Sequence, residues 1–524
     1  MPETRLWYNG RVFTGRQYAE ALLIDQGRVV AAGSVDAVRR SAPAGTEAVD
    51  LQGKLVIPGL IDSHLHVAEL THAREGLEVG NVRSVPDLIV QVRRWAEDHP
   101  TGAVVGRGWD AERLGRGAWP TREELDEAVA DRPLVLYHAS GHAAVVNSAT
   151  LATVGVDRTT RDPHGGRVGR TKEGEPDGAL YEEAMRWVSP LTLAAHPPDP
   201  KALERTFRHV ASLGITTVAA MNVGREEATA LRELAGGHRL LVRVRTYLRL
   251  SSFEEILGTV GPRGQEPDYL AVTGVKGFTD GAFGPRTAWL SSPYEDAPFE
   301  RGLPTGTDEE LSAELSRAVD RGLAPALHAI GDRAVERALR LLRPLVGRSR
   351  APLRIEHAGL TPPELFPLLD RVRPVLGVQP GFIWSDSWLA ARLGRDRARW
   401  AYAFRTLSDR GHLLAGSSDA PYDPVDPWRG MSAAVHRRDP EGRSANPETA
   451  EAIPSEGAIQ MYTVNGGLAL GEPDLGRLEP GARADLVVLD ALDLSRAFTR
   501  GSPGVLETWV NGARVFDAVR SRTG

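Results

Sequence analysis

"VIPGLIDSHLHV", residues 56–67, decides how the rest of the chain is read. One apolar run ends in Pro58-Gly59, and the next carries two histidines, His64 and His66. In an extended strand, positions i and i+2 share a face, so both imidazoles point the same way. Two imidazoles on one face of an apolar strand are a poor choice for packing and a good one for holding a metal ion. The reading then depends on whether other strands end in further ligands.

They do. Apolar, β-branched runs alternate with helical stretches up to about residue 421, the pattern of βα units on a parallel sheet. Eight strand candidates fall at residues 54–67, 214–221, 240–250, 270–281, 323–332, 353–359, 373–380 and 412–421. Between them lie helix-like stretches such as "PKALERTFRHVASLG" and "DRAVERALRLLRPLVG". Eight units predict an α/β fold closed into a (β/α)8 TIM-like barrel, whose active site lies at the C-terminal strand ends. Those ends carry His64, His66, Lys276, His328, His357 and Asp419. The chain has 14 histidines, and four crowd onto three of these ends, which packing alone does not require.

Both ends of the chain read differently. "RLWYNGRVFTG", "ALLIDQGRVVAAG" and "VLETWVNGARVFD" are β-rich runs around Asn9-Gly10, Gln26-Gly27 and Asn511-Gly512, each a hairpin signal. They predict one small β-sandwich domain built from residues 1–57 and 475–524, flanking a barrel at 58–474. Residues from about 74 to 195 break the alternation. They read as an insertion after the first barrel strand, lying over the barrel mouth.

Composition narrows the chemistry. Cysteine is absent, which excludes disulfides, thiolate metal sites and a cysteine nucleophile. Any metal is therefore held by nitrogen and oxygen. A net charge of −6, with 41% hydrophobic and 25% charged residues, fits a soluble enzyme acting on a small molecule. It points to neither a nucleic-acid nor a membrane partner. No basic segment followed by an apolar core opens the chain, and no run reaches about eighteen apolar residues, so a cytoplasmic protein is expected. A homodimer is compatible with this composition. The Gly-x-Gly of "VGRGWDAERLG" lacks the third glycine of a dinucleotide fingerprint.

Imidazoles and a carboxylate suit Zn²⁺ and similar divalent ions. Asp419 can bind such an ion and also accept a proton from its water, whose pKa falls towards neutrality. Lys276 has two readings. It is an ammonium that pairs with a carboxylate such as Asp280 or contacts the substrate, or a neutral amine that takes up carbon dioxide as a carbamate and could bridge two ions.

The set HxH, Lys, His, His, Asp on successive strands resembles the amidohydrolase superfamily of metal-dependent hydrolases. "VKGFTDGAFGPRTA", "LHAIGDRAVERAL", "RIEHAG" and "AGSSDAPYDPVDP" are similar to its amidohydrolase-3 branch, which includes N-substituted formamide deformylases. So are "GWDAERL", "RPLVLYHASGHAAVVNSATL" and the tail "LGRLEPGARADLVVLD". The resemblance implies one metal on His64, His66 and Asp419, with Asp419 also the proton acceptor. It implies a second metal on His328 and His357, bridged by an N6-carboxylysine at Lys276, with the ion count open at one or two. It places Arg286, His142 and Trp109 at the substrate pocket. Two departures, Gly277 after the lysine and "HASGH" where "RVDGH" is commoner, bear on pocket shape rather than on the metal chemistry.

The expected function is hydrolysis of a non-peptide C–N bond, in an amide or an N-substituted formamide, with zinc as the expected ion. His142 or Arg286 would steady the oxyanion. Deamination or ester and lactone hydrolysis on the same site is one alternative. A non-catalytic binding or regulatory homologue is another, but its mark would be a lost ligand, and every expected ligand is present.

Overall fold

Gly59 divides the opening stretch into two strands that serve different sheets. In the computed structural model, which describes residues 4–115, 119–260, 268–494 and 503–521, Leu55–Pro58 pairs antiparallel with Leu486–Leu489 and parallel with Arg11–Phe13. Leu60–Leu65 (β1) begins the barrel. It is followed by Ile215–Val223 (β2), Arg243–Arg249 (β3), Leu270–Phe278 (β4), Ala324–Ala329 (β5), Arg354–His357 (β6), Val375–Val378 (β7) and Leu414–Gly416 (β8).

These eight strands lie side by side in chain order, and every neighbouring pair is parallel. Each of the eight predicted stretches holds or overlaps one of them. The seam between β8 and β1 is held by Ser63 Oγ donating to Gly416 O at 2.9 Å and by the Asp419 amide donating to His64 O at 2.9 Å. The second bond matters for function, because it fixes the aspartate beside the first histidine.

The outer helices form where apolar residues recur every three or four positions. In Asp332–Leu342, the residues Ala334, Val335, Ala338, Leu339 and Leu342 are buried, while Arg333 and Arg340 face out. Each large aliphatic side chain buried this way contributes about 1.5–3 kcal/mol. Pro200–Ser212 starts on Asp199, whose carboxylate accepts from the Lys201 and Ala202 amides, with Pro200 in the first turn.

Both chain ends contribute to one six-stranded sheet, ordered 513–517, 505–510, 486–489, 55–58, 11–13 and 18–19. A four-stranded sheet ordered 28–33, 21–25, 5–8 and 47–50 completes the sandwich. Trp7 and Trp509 meet edge to face in its core, with centroids 5.0 Å apart. The turns at Gln26-Gly27 and Asn511-Gly512 are hairpins, with positive φ at both central residues. The expected hairpin at Asn9-Gly10 is not one. Arg5–Tyr8 pairs parallel with Glu47–Asp50, and Arg11–Phe13 enters the other sheet. The Asn9 side chain donates to Asp50 at 2.7 Å, so this left-handed residue redirects the chain between sheets.

The inserted segment forms a six-stranded sheet of its own, ordered 166–170, 176–182, 143–146, 134–138, 104–109 and 77–78. The run "VVGRGW" is an inner strand of this sheet. No described helix is long and apolar enough to cross a membrane.

Candidate metal centre and pocket

His64 shows how the site is built. It ends β1 with no solvent exposure, and its Nδ1 lies 2.7 Å from Glu356 Oε2. Glu356 is itself clamped by the Arg354 guanidinium at 2.7 and 3.1 Å. Burial would raise the carboxyl pKa of Glu356, but Arg354 and then His64 hold it far below the usual range. A fixed carboxylate makes Nδ1 the protonated nitrogen and leaves the Nε2 lone pair facing inward. Burial, with help from Lys276, lowers the His64 pKa to about 4, so the ring is neutral.

That lone pair faces a carboxylate. His64 Nε2 and His66 Nε2 both lie 3.2 Å from Asp419 Oδ1, and the nearest nitrogen of His357 lies 3.9 Å from Oδ2. For His64, whose proton lies on Nδ1, two electron-rich atoms held this close with no proton between them call for a cation. His64 Nε2, His66 Nδ1, Lys276 Nζ and Asp419 Oδ1 are all buried without a hydrogen-bond partner among the described residues. His64, His357 and Asp419 each offer an atom within 4.8 Å of the others, and all three are buried. The donor set therefore fits a divalent ion.

The second half of the site is arranged in the same way. His357 Nδ1 is taken by Gln379 Oε1 at 2.7 Å, and burial brings the His357 pKa down to about 3. His328 Nε2 bonds the Gly281 carbonyl at 3.0 Å, which leaves Nδ1 as its free edge. The rings of His328 and His357 are 4.5 Å apart. Lys276 is 1% exposed, with Nζ 4.3 Å from the centroid of the Phe278 ring. Burial brings its pKa down to about 8, against the pull of Asp419 and Glu356. Asp280 does not pair with it. Its oxygens instead accept from the amides of Trp289, Ile330 and Gly331 at 2.8–3.0 Å.

Above these groups lies a cavity of about 180 Å³. The barrel lines it with His66, Asn222, Lys276, Phe278, His328, His357 and Asp419, and the insertion adds Gly141, His142, Glu182 and Met185. His142 Nδ1 meets Glu182 Oε2 at 2.8 Å, and its ring lies 4.8 Å from that of His328. Burial disfavours the imidazolium of His142, but the Glu182 charge outweighs it and the pKa is raised.

The sequence profile of the amidohydrolase family matches residues 47–516. The chain belongs to that family. Among relatives, the Bacillus subtilis protein YtcJ is 31% identical over 510 residues, covering 92% of this chain and 94% of its own. An N-substituted formamide deformylase from Arthrobacter pascens is 27% identical, covering 97% and 96%. The crystal structure of an uncharacterized metal-dependent hydrolase from Pyrococcus horikoshii superposes with a TM-score of 0.77 at 31% identity, covering 94% of this chain and 98% of that one.

Within this family frame, the structure gathers His64, His66, Lys276, His328, His357 and Asp419 at one rim, with His142 opposite them. Two expected pocket residues lie elsewhere. Trp109 is fully buried in the core of the insertion, where it donates to Leu136 O at 2.9 Å and packs against Trp119 and His138. The Arg286 guanidinium pairs with Asp296 at 2.7 and 3.2 Å and does not line the cavity. Its backbone takes a left-handed φ of 58°, and its partner Asp296 also pairs with Arg392, away from the candidate metal ligands.

Sequence reasoning missed Glu356, Gln379, Glu182 and Asn222. Glu356 had a signal: Arg354 and Glu356 are opposite charges two apart in a strand buried on both faces, which calls for an internal ion pair. The other three carry no comparable local mark.

Proposed function

We propose that the protein hydrolyses a non-peptide C–N bond in a small molecule, of the amide or N-substituted formamide type, with one or two divalent ions, zinc first among them. The observation that carries this reading is the buried convergence of His64, His357 and Asp419, where His64 Nε2 and Asp419 Oδ1 have no hydrogen-bond partner among the described residues. His64, His66 and Asp419 would hold one ion, and His328 and His357 a second. Lys276 would bridge them as N6-carboxylysine, a modification favoured by its buried amine with a lowered pKa. A divalent ion there supplies a Lewis acid for the substrate carbonyl and makes water acidic enough to serve as a nucleophile near neutral pH.

The chain's own residues do the rest. Asp419 accepts a proton from the attacking water and returns it to the departing nitrogen. Its amide bond to His64 O and its left-handed backbone, φ 58°, aim the carboxylate at the cavity floor. His142 contacts the substrate carbonyl from the insertion side and steadies the charge that develops on oxygen. Glu356 and Gln379 keep the ligand imidazoles in one tautomer. The relative that deformylates N-substituted formamides supports this bond type.

The test is a panel of N-substituted formamides, amides, aryl amines and lactones given to zinc-loaded protein, with formate, ammonia and ring opening measured separately. Formate from the formamides or carboxylate from the amides fits the proposal, whereas ammonia from the aryl amines or ring opening alone overturns the bond assignment. Asp419→Asn should lower turnover by a factor on the order of 10³; wild-type turnover in that variant would remove Asp419 from its role.

A further inference from the structure

Among the described residues, Glu182 is the one carboxylate lining the cavity that bonds a pocket histidine from outside the candidate metal cluster. The insertion strands 143–146 and 176–182 are antiparallel, with Ala143 opposite Tyr181. One step further along, the Glu182 amide donates to His142 O at 3.3 Å, which makes His142 and Glu182 cross-strand neighbours. Their side chains meet as Nδ1 and Oε2 at 2.8 Å, and Glu182 is 8% exposed.

Three further features separate this pair from an ordinary internal salt bridge. Glu182 has φ 50° and ψ −122°, a conformation an L-residue adopts only when its surroundings impose it. The strained residue sits where the strand turns into the helical turn Glu183–Trp187, at the cavity wall. Its second oxygen, Oε1, is buried with no hydrogen-bond partner among the described residues. That oxygen presses on Gly281, where a β-carbon would lie 1.9 Å from it. The Gly281 carbonyl bonds His328 Nε2, so one carboxylate touches both the ring above the cavity and the loop that orients a ring below it.

We propose that Glu182 is a positioning residue for the reaction: its carboxylate accepts from Nδ1–H of His142 and pairs with the imidazolium form, so that the ring is fixed with Nε2–H as the donor presented to the substrate carbonyl. The inference rests on the substrate contact proposed above for His142. Without Glu182 the ring would be free to rotate about χ2, and the loss would appear in turnover rather than in metal binding. Misplacing a reacting group by about 1 Å can cost on the order of 100-fold in rate.

The experiment uses full-length zinc-loaded protein with Glu182→Gln, His142→Gln and the double variant. Zinc content should match wild type in all three. With formanilide as substrate, Glu182→Gln should lower kcat on the order of 100-fold with little change in KM. In the His142→Gln background the same change should cost less than about twofold, because the effect runs through that ring. Equal losses in both backgrounds, or wild-type kcat in Glu182→Gln, overturn the proposal.

A second readout needs no turnover. In protein labelled with ¹⁵N-histidine, the His142 ring signals, identified by their loss in His142→Gln, should shift in Glu182→Ala, while the remaining histidine signals keep their positions. Unshifted His142 signals overturn the proposal even if formanilide is not a substrate. Shifted signals with no formanilide turnover uphold the positioning role and count against the bond assignment alone.

Discussion

A carboxylate held by a guanidinium and sealed from water behaves as a permanent charge, and Glu356 is such a group. Gly377 leaves the space it needs, since a β-carbon there would lie 2.1 Å from Glu356 Oε2. Removing the charge in Glu356→Gln leaves Arg354 buried with half its partner, which costs about 3–5 kcal/mol. It also frees the His64 tautomer, which should weaken metal affinity by about 10-fold to 100-fold. Urea unfolding and competition with a zinc chelator measure the two effects, and a variant matching wild type in both would deny Glu356 its place. Gly281→Ala tests the opposite wall. Its β-carbon would lie 1.9 Å from Glu182 Oε1 and 2.2 Å from Thr287 Oγ1, so Glu182 must move. Turnover should fall by at least about 10-fold with zinc still bound. Wild-type kcat in Gly281→Ala would show that this contact is slack. The candidate histidine and aspartate ligands were legible because each is a metal-binding residue type at the end of an apolar run. Glu182 was not, because its partner lies forty residues away and only the strand pairing of the insertion brings them together.

At the level of elements, long patterned segments announced themselves and short turns did not always do so. The barrel strands and their helices have periodic apolar faces, so their positions follow from burial alone. Asn9-Gly10 has the same local chemistry as Asn511-Gly512, yet only the second closes a hairpin. The difference lies in which strand each flank pairs with, which no local signal encodes. Helix contacts near the mouth carry a pH dependence that the sequence also hid. Glu227, in the first turn of Arg225–Gly236, accepts the Ala68 amide at 3.2 Å and is 6% exposed. Burial, with Glu69 adding to it, pushes its pKa up from 4.5 to about 8. The folded state therefore keeps a proton that the unfolded chain gives up. The stability this provides is fully present below about pH 4.5 and is lost as pH rises through about 8. A tenfold difference in proton affinity between the two states is worth about 1.4 kcal/mol, so the loss across that window amounts to several kcal/mol. Melting temperatures from pH 5 to 9 should fall less steeply in Glu227→Gln than in wild type. Parallel curves would assign the pH dependence to other groups.

For the molecule as a whole, the mouth of the barrel carries the candidate site while its base holds the parts together, and the two ends should be separable by mutation. Arg243 opens β3 at the base and is fully buried. It donates to Asp485 at 2.9 and 3.1 Å, and Asp485 also accepts the Asn511 amide at 2.7 Å. One ion pair thus ties the barrel to the sheet that both chain ends build. Desolvating two charges is expensive, so the pair adds little net stability over an apolar pair of the same size, but losing one partner leaves a bare buried charge. Asp485→Leu should cost about 3–5 kcal/mol for that reason. Adding Arg243→Met removes the stranded guanidinium and should recover most of the cost. The Asn511 amide stays unpaired in both, a penalty of about 1–3 kcal/mol that keeps the double variant below wild type. Urea unfolding of the three proteins reads this order directly, and a double variant no more stable than Asp485→Leu would refute it. In the folded double variant zinc content and turnover should stay at wild-type levels, since catalytic groups in such barrels stand at the opposite strand ends. A loss of bound zinc would instead mean that the tie at the base shapes the mouth.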